Sequence, residues 1–434
     1  MTSNPPDLQQ KLKAMLSQPT PLLPDEELRE FVEYYFNRRQ RYLEVLDRHP
    51  APLYLQESSV LRARALQLQK AFLNVLPSVA FYYAVKSNNH PDLARILLEA
   101  DFGLDVSSGL ELEMALSIGA RDIIFSGPGK TGAELQLAVA HSDRVVILMD
   151  SFGELHRLEG IAAQLKQRVR CGVRLTVNPH GLWRKFGIDP RDLSAFWQEA
   201  RRCPHIQIQG LQFHSSWNLA PDPQIEFIRI LGKVLADMPG SSRRQIEFID
   251  IGGGYWPSQG EWLQPAGTPE GRLREALGQQ PGSAKTHHRL AAVGLEEFAG
   301  QLSAAIHEHL FSIVPCRICL EPGRWLCNDA VHLLISVVDK KAADLVITDA
   351  GTNMVGWERF ETDYFPILNL TRPALDEKSC HILGSLCTPH DVWGYMYFGD
   401  DIQPGDILMI PTQGAYTYSL RQNFIKPLPA VHTI

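Results

Sequence analysis

The chain has 434 residues, 44% apolar and 21% charged, a composition that fits a globular protein large enough for two domains. Its net charge of −7 gives no electrostatic case for nucleic acid or an anionic membrane, and no apolar run reaches the ~18 residues of a membrane helix. The seven cysteines are odd in number and irregularly spaced, which predicts reduced thiols in a cytoplasmic protein; the polar, proline-rich start predicts no signal peptide.

Residues 1 to about 20 read as a loose leader. From Pro24 to His49, apolar residues at 28, 31, 32, 35, 36, 42, 43 and 46 predict one amphipathic helix with an acidic first turn. Leu53-Tyr54-Leu55 follows as a short strand, and a helix is expected over roughly 59–76. A rhythm then sets in. Strand candidates stand at 80–85, 103–106, 123–126, 145–149, 170–175, 207–213, 247–251 and 317–320, most of them separated by helical patterns such as 91–100, 110–118 and 133–140. Eight strands alternating with helices over about 245 residues predict an α/β fold of the (β/α)8 TIM barrel kind, with a doubly wound open sheet the alternative from periodicity alone.

Polar groups gather where these strands end, as a barrel active site requires. Lys86 follows the first strand, Asp105 lies in the second, Ser126-Gly127 closes the third, Arg174 lies in the fifth and His214 closes the sixth. Gly252-Gly253-Gly254 follows the seventh, and Glu321-Pro322-Gly323-Arg324 the eighth. Residues 257–293, rich in Gly, Pro and Gln, read as a long surface insertion. After Arg324 the pattern is strand-rich, at 332–339, 345–348, 381–383 and 406–410, which predicts a second, mostly β domain. The expected division is therefore a leader and helix (1–50), a strand and helix joining the β domain to the barrel (51–71), the barrel (72–323) and a C-terminal β domain (324–434).

Each motif alone has an ordinary reading. Lys86 fits a solvated strand end as well as a Schiff-base lysine in a partly desolvated site. Glu321 fits a rim ion pair with Arg324, and His214 a satisfied core histidine. The triple glycine lets backbone N–H groups approach an anion, but Trp256-Pro257 stands where a Rossmann helix would start. The 127–131 stretch, Gly-Pro-Gly-Lys-Thr, lacks the P-loop glycine, since position 124 is Ile, and reads as a turn and helix start. Cys316 and Cys319 lie in an apolar stretch and read as core, with no metal site expected. The combination carries more weight. A lysine, an acid able to hold a pyridinium proton, a histidine able to stack and a glycine loop on one barrel mouth are what pyridoxal 5′-phosphate (PLP) needs from a protein.

Tyr83-Ala84-Val85-Lys86-Ser87-Asn88, His214, Gly252–Gly254, Glu321-Pro322-Gly323-Arg324, Cys387 with Asp391, and Gly414-Ala415-Tyr416 occur in the order found in the ornithine/diaminopimelate decarboxylases, which this chain resembles over roughly residues 51–430. These are alanine-racemase-like, fold-type III PLP enzymes. The resemblance implies a head-to-tail homodimer with shared active sites. It implies that Lys86 holds PLP, Glu321 pairs with its ring nitrogen and His214 stacks on the ring. It assigns the phosphate to Gly252, Gly253, Gly254, Arg324 and Tyr416, counts Gly323 among the cofactor contacts, places Asp105, Glu111 and Arg174 around the cofactor, and makes Cys387 of the other subunit the donor that protonates the carbanion after decarboxylation. A racemase on the same barrel would need a base, typically Tyr, where Cys387 stands, and retention of Lys86 and Cys387 argues against a non-catalytic partner.

Departures from the family pattern bear on the substrate. The family's His-x-Gly-Ser is His214-Ser215-Ser216-Trp217 here, so the phosphate-binding Ser is replaced or displaced. Counting from Asp349-Ala350-Gly351 puts Trp357 and Glu361 where diaminopimelate decarboxylases carry Arg and Tyr, with Arg359 two residues along. Thr388 follows Cys387 where an acid is usual, and Leu-Cys-Thr-Pro-x-Asp resembles relatives acting on modified amino acids in siderophore and antibiotic pathways. Arg359, Glu361, Thr388 and Asp391 are the expected substrate contacts.

Overall fold

The computed structural model describes residues 19–278, 286–356 and 362–434, together with 10, 12, 13 and 17. The chain forms two compact units: Ser58–Ser258 with Val293–Asn328, and Met1–Glu57 with Gln259–Ala292 and Asp329–Ile434.

The first unit is a closed barrel of eight parallel strands: Val79–Ala84, Gly103–Val106, Ile123–Phe125, Val145–Met149, Val169–Leu175, Ile206–Phe213, Phe248–Asp250 and Arg317–Leu320, the last pairing back to the first. All eight expected strands form, and the open-sheet alternative falls. Such strands are apolar almost throughout because side chains are buried on both faces, inside the barrel and under the helices. The interior is packed by Tyr82, Ile124, Val146, Leu148, Phe248 and Cys319. Phe248 can lie across this floor because the fifth and sixth strands present Gly172 and Gly210; a Cβ on Gly210 would collide with its ring. The helix Gly132–Ala140 starts from a capping box of Thr131 and Glu134 just after the 127–131 turn. With the floor filled, only the carboxyl ends of the strands are left to carry a site.

The second unit is an eight-stranded sheet in the order Leu345–Thr348, Glu377–Leu383, Val392–Phe398, Leu368–Asn369, Ile407–Ile410, Val331–Ala342, Leu53–Gln56 and Val431–Thr433. Leu345–Thr348 also pairs with Val331–Ala342, so most of the sheet closes on itself. Two expectations change here. The single N-terminal helix is two, Asp25–Phe36 and Arg39–Leu46, whose apolar faces share one register of burial across the break at Asn37-Arg38. Leu28, Val32, Tyr35, Tyr42 and Val45 are buried in the core of this unit, each such side chain contributing about 1.5–3 kcal/mol by leaving water. The 257–293 segment is not simply a barrel insertion either. Glu261–Leu263 pairs with His288–Leu290, and Trp262 packs against Phe31 and Tyr364, so Gln259–Ala292 groups with the sheet unit.

Candidate active site

At the barrel mouth, Lys86 sits in the 3-10 turn Val85–Ser87 that ends the first strand. Its Nζ donates to Asp105 Oδ2 at 2.6 Å; the lysine is about one-third exposed and Asp105 is fully buried. Asp105 Oδ1 accepts from Ser126 Oγ, and the Ser126 carbonyl accepts from Arg174 Nη1 at 2.9 Å. The Arg174 guanidinium lies over the Phe186 ring at 4.5 Å and 3.8 Å from Asp150 Oδ1, and its buried Nε finds no hydrogen-bond partner among the described residues. Glu111 Oε2 accepts from Ser107 N–H at 2.7 Å, and burial pushes its carboxyl above the usual range. An amine is thus held on a chain of polar groups that crosses four strands.

At the end of the eighth strand, which neighbours the first, Glu321 is buried and accepts from Gln212 Nε2 at 3.2 Å. His214 Nδ1 accepts the Gly253 N–H at 3.1 Å, which leaves that nitrogen no proton to give to Glu321 Oε2 at 3.6 Å. Burial first, then the Lys86 and Arg174 charges, push His214 well below its usual value, so the ring is neutral. The glycine turn has the bare backbone the sequence promised. Gly252 and Gly254 sit at φ +71° and +87°, and a Cβ on Gly253 would strike the Glu321 carbonyl. The Gly252 N–H, however, is turned onto Asp250 Oδ1 at 2.8 Å and the Gly253 N–H onto His214, so both are used within the protein. Asn218 Nδ2 ties the Gly253 and Ser215 carbonyls together. Trp217, where the family pattern has Ser, adopts φ +58°; its ring lies 6.2 Å from that of Trp256, over which Arg324 sits at 4.5 Å. Gly323, beside Glu321, leaves no room for a Cβ against the Ser87 hydroxyl.

In the sheet unit, Cys387 is exposed in the Leu383–Val392 connection and Thr388 is half-buried beside it. Asp391, expected at the substrate, is spent on its own loop. It is buried, Oδ1 accepts from Thr352 N–H and Oγ1 at 2.7 and 3.0 Å, and Oδ2 from Leu386 N–H at 2.6 Å. Tyr416 stands at φ +61° after Gly414-Ala415. Trp357, Arg359 and Glu361 lie outside the described residues.

Three participants escaped the sequence reading. Asp250 is the one polar residue of Phe248–Asp250, and that mismatch was the available signal; Gln212 is buried but follows Gln207 and Gln209 in its strand, which hid it. Lys130, read as part of a turn, is buried against Glu154 at 2.8 Å and donates to the Gly127 and Leu148 carbonyls, bracing the third and fourth strand ends.

A family profile described as "Pyridoxal-dependent decarboxylase, pyridoxal binding domain" matches residues 62–328. A diaminopimelate decarboxylase of Methanothermobacter thermautotrophicus is 27% identical over 405 residues, covering 89% of this chain and 87% of the relative. An L-glutamyl-[BtrI acyl-carrier protein] decarboxylase of Niallia circulans is 26% identical, covering 86% and 85%. A diaminopimelate decarboxylase structure from M. jannaschii, in complex with L-lysine, superposes with a TM-score of 0.73 at 21% identity over 90% of this chain and 89% of its own, a likeness of fold. Among the described residues no helix is long and apolar enough to cross a membrane. With the profile spanning well over half the chain on a barrel whose mouth carries Lys86, Glu321 and the glycine turn, the chain belongs to the pyridoxal-dependent decarboxylases and is a PLP-dependent carboxy-lyase.

Proposed function

We propose that the chain decarboxylates an α-amino acid whose distal end is neutral, acylated or carboxylated, with Lys86 as the cofactor amine and Cys387 as proton donor. The cofactor fits the barrel mouth. Lys86 Nζ offers the amine, Gly252–Gly254 a backbone surface without Cβ atoms, Arg324 and the orphaned Arg174 Nε cationic donors, and Glu321 the acid for a ring nitrogen. When bound, PLP supplies a protonated pyridine that takes up the electron pair left by departing CO2. Asp105, itself held by Ser126, orients Lys86 Nζ and stabilises its charge. The neutral His214 offers a flat ring whose plane is fixed by the Gly253 N–H, and Glu321 keeps a proton at the ring nitrogen. Cys387 Sγ delivers the proton that replaces the lost carboxylate, in a site completed by a second subunit, where Tyr416 adds a phosphate contact.

One observation carries the substrate assignment. Asp391 is the only acid in the stretch 384–391, and Thr352 and Leu386 consume its carboxylate, so this loop offers no free charge to a distal ammonium. A cation removed from water needs such a partner. The Niallia circulans relative, which by its name acts on an L-glutamyl group carried on a protein, supports this reading. The diaminopimelate decarboxylases among the relatives favour a second one, decarboxylation of meso-diaminopimelate. CO2 release across a panel of amino acids, their N- or side-chain-acylated forms and meso-diaminopimelate decides between them. The highest kcat/KM is expected for a substrate without a distal ammonium; meso-diaminopimelate far ahead of the rest would reverse the assignment.

A further inference from the structure

We propose that Asp250 is a positioning residue that shares a proton from its Oδ2 atom with the Glu321 carboxylate and so aims Glu321 at the cofactor's ring nitrogen. The purpose, though not the shared proton, rests on the reading of Glu321 given above. Asp250 ends the seventh barrel strand and pairs in register with Cys319 on the eighth, two residues before Glu321. It is fully buried. Its Oδ1 accepts the Gly252 N–H at 2.8 Å, whereas Oδ2 has no hydrogen-bond partner among the described residues. Gln212 on the sixth strand is in register with Asp250 and donates to Glu321 Oε1 at 3.2 Å, so the Glu321 carboxyl, rooted on the eighth strand, extends across the seventh beside the Asp250 side chain. A buried acceptor facing a buried acceptor is repulsive unless one carries a proton, and two carboxylates in one dry site do not both ionise.

The surroundings decide where the proton resides. Burial and then the Asp105 charge raise Glu321, but the Lys86 and Arg174 charges oppose them. No cation figures among the main influences on Asp250. Burial and then Glu321 push it well above the carboxylate range, Asp105 adds to this, and the Gly252 N–H works the other way. The remaining titratable neighbours, the Tyr255 phenol and the Cys319 thiol, are raised by burial and stay neutral. Asp250 is therefore the acid and Glu321 the base of the pair. Since Asp250 Oδ1 also anchors the glycine turn, one carboxyl group fixes both the acid at the ring and the loop beside it.

Infrared difference spectra of the apoprotein at neutral pH, in H2O against D2O, are expected to show a protonated-carboxyl band in the wild type that Asp250→Asn lacks. The amide N–H introduced by Asp250→Asn can still donate to Glu321, so PLP affinity measured by equilibrium titration should stay within about 3-fold, while Asp250→Ala loses about 10-fold or more. A band that persists in Asp250→Asn, or an Asp250→Asn protein as weak for PLP as Asp250→Ala, overturns the proposal. Glu321→Gln separates the two ideas. Its amide oxygen still accepts from Asp250, so the band should remain in the apoprotein while the absorbance of the holoenzyme shifts. Loss of the band there overturns the shared proton; an unshifted holoenzyme absorbance overturns the ring-nitrogen role.

Discussion

Replacing Lys130 by Met tests how the barrel mouth is held together. Lys130 Nζ donates to Glu154 Oε1 and Leu148 O at 2.8 Å and to Gly127 O at 2.6 Å, and neither side chain of the ion pair is more than 1% exposed. Burial, ahead of all else, lowers the Lys130 ammonium and raises the Glu154 carboxyl, so each charge depends on the other. Lys130→Met leaves a buried carboxylate and two carbonyls without their donor, a loss of about 3–5 kcal/mol. Removing both charges, in Lys130→Met with Glu154→Leu, leaves only the carbonyls short, and about 1–2 kcal/mol of destabilisation is expected. Urea denaturation of the two apoproteins against wild type measures both. The pH dependence has a definite sign. A lone Glu154 in the folded single variant has a value above its unfolded ~4.3, so folding holds its proton more tightly. The single variant is therefore least handicapped near pH 4 and loses further stability as the pH rises toward 7. A single variant within about 1 kcal/mol of wild type at pH 7, or a double variant as unstable as the single one, would refute the reasoning.

Cys387→Ala is expected to keep PLP absorbance while slowing turnover by about 10²–10⁴-fold, and full rate with clean product would move the proton donor elsewhere. Mixing inactive Lys86→Ala and Cys387→Ala proteins should restore measurable CO2 release if the site is shared between subunits; none after proven subunit exchange counts against sharing. In the sheet unit, Glu57 is buried among Arg38, Arg41, Tyr42 and His332, and His332 in turn accepts the Thr412 N–H. Burial raises Glu57, but these partners outweigh it and hold the carboxyl below its usual value. Its stabilisation is thus present above the unfolded ~4.3 and lost as the pH falls through the depressed folded value, so Glu57→Gln should narrow its gap to wild type on the acid side. Stability curves that run parallel from pH 7 to pH 3 would be the contrary result.

The barrel was legible because its physics is periodic and local. Each strand is a short apolar run, and residues such as Lys86, His214 and Glu321 stand out where a run ends. The sheet unit was harder. Val392–Phe398 and Val431–Thr433 carry no clean alternation, and the strand Leu368–Asn369 is two residues long. The break at Asn37-Arg38 was invisible because burial of Tyr35 and Tyr42 continues one apolar pattern through it. Side-chain roles set by distant partners were not readable at all. Asp391 looked like a substrate contact beside Cys387, yet Thr352, 39 positions earlier, takes its carboxylate. Lys130 looked like a turn residue, yet its partner is Glu154 on the helix Phe152–Leu165, one helix beyond the one it precedes. Asp250 lay in plain view before the glycines, but its meaning depends on Glu321, which only barrel closure brings beside it.

Reductive trapping tests the assignment of the barrel mouth most directly. Borohydride treatment of the PLP-loaded protein should fix the cofactor on one lysine, and peptide mass mapping should place it on Lys86, with Lys86→Ala both colourless and unlabelled. Lys130 is the instructive control, because it lies near the same strand ends but is wholly buried and paired. PLP recovered on Lys130, or on any lysine other than Lys86, would contradict the account.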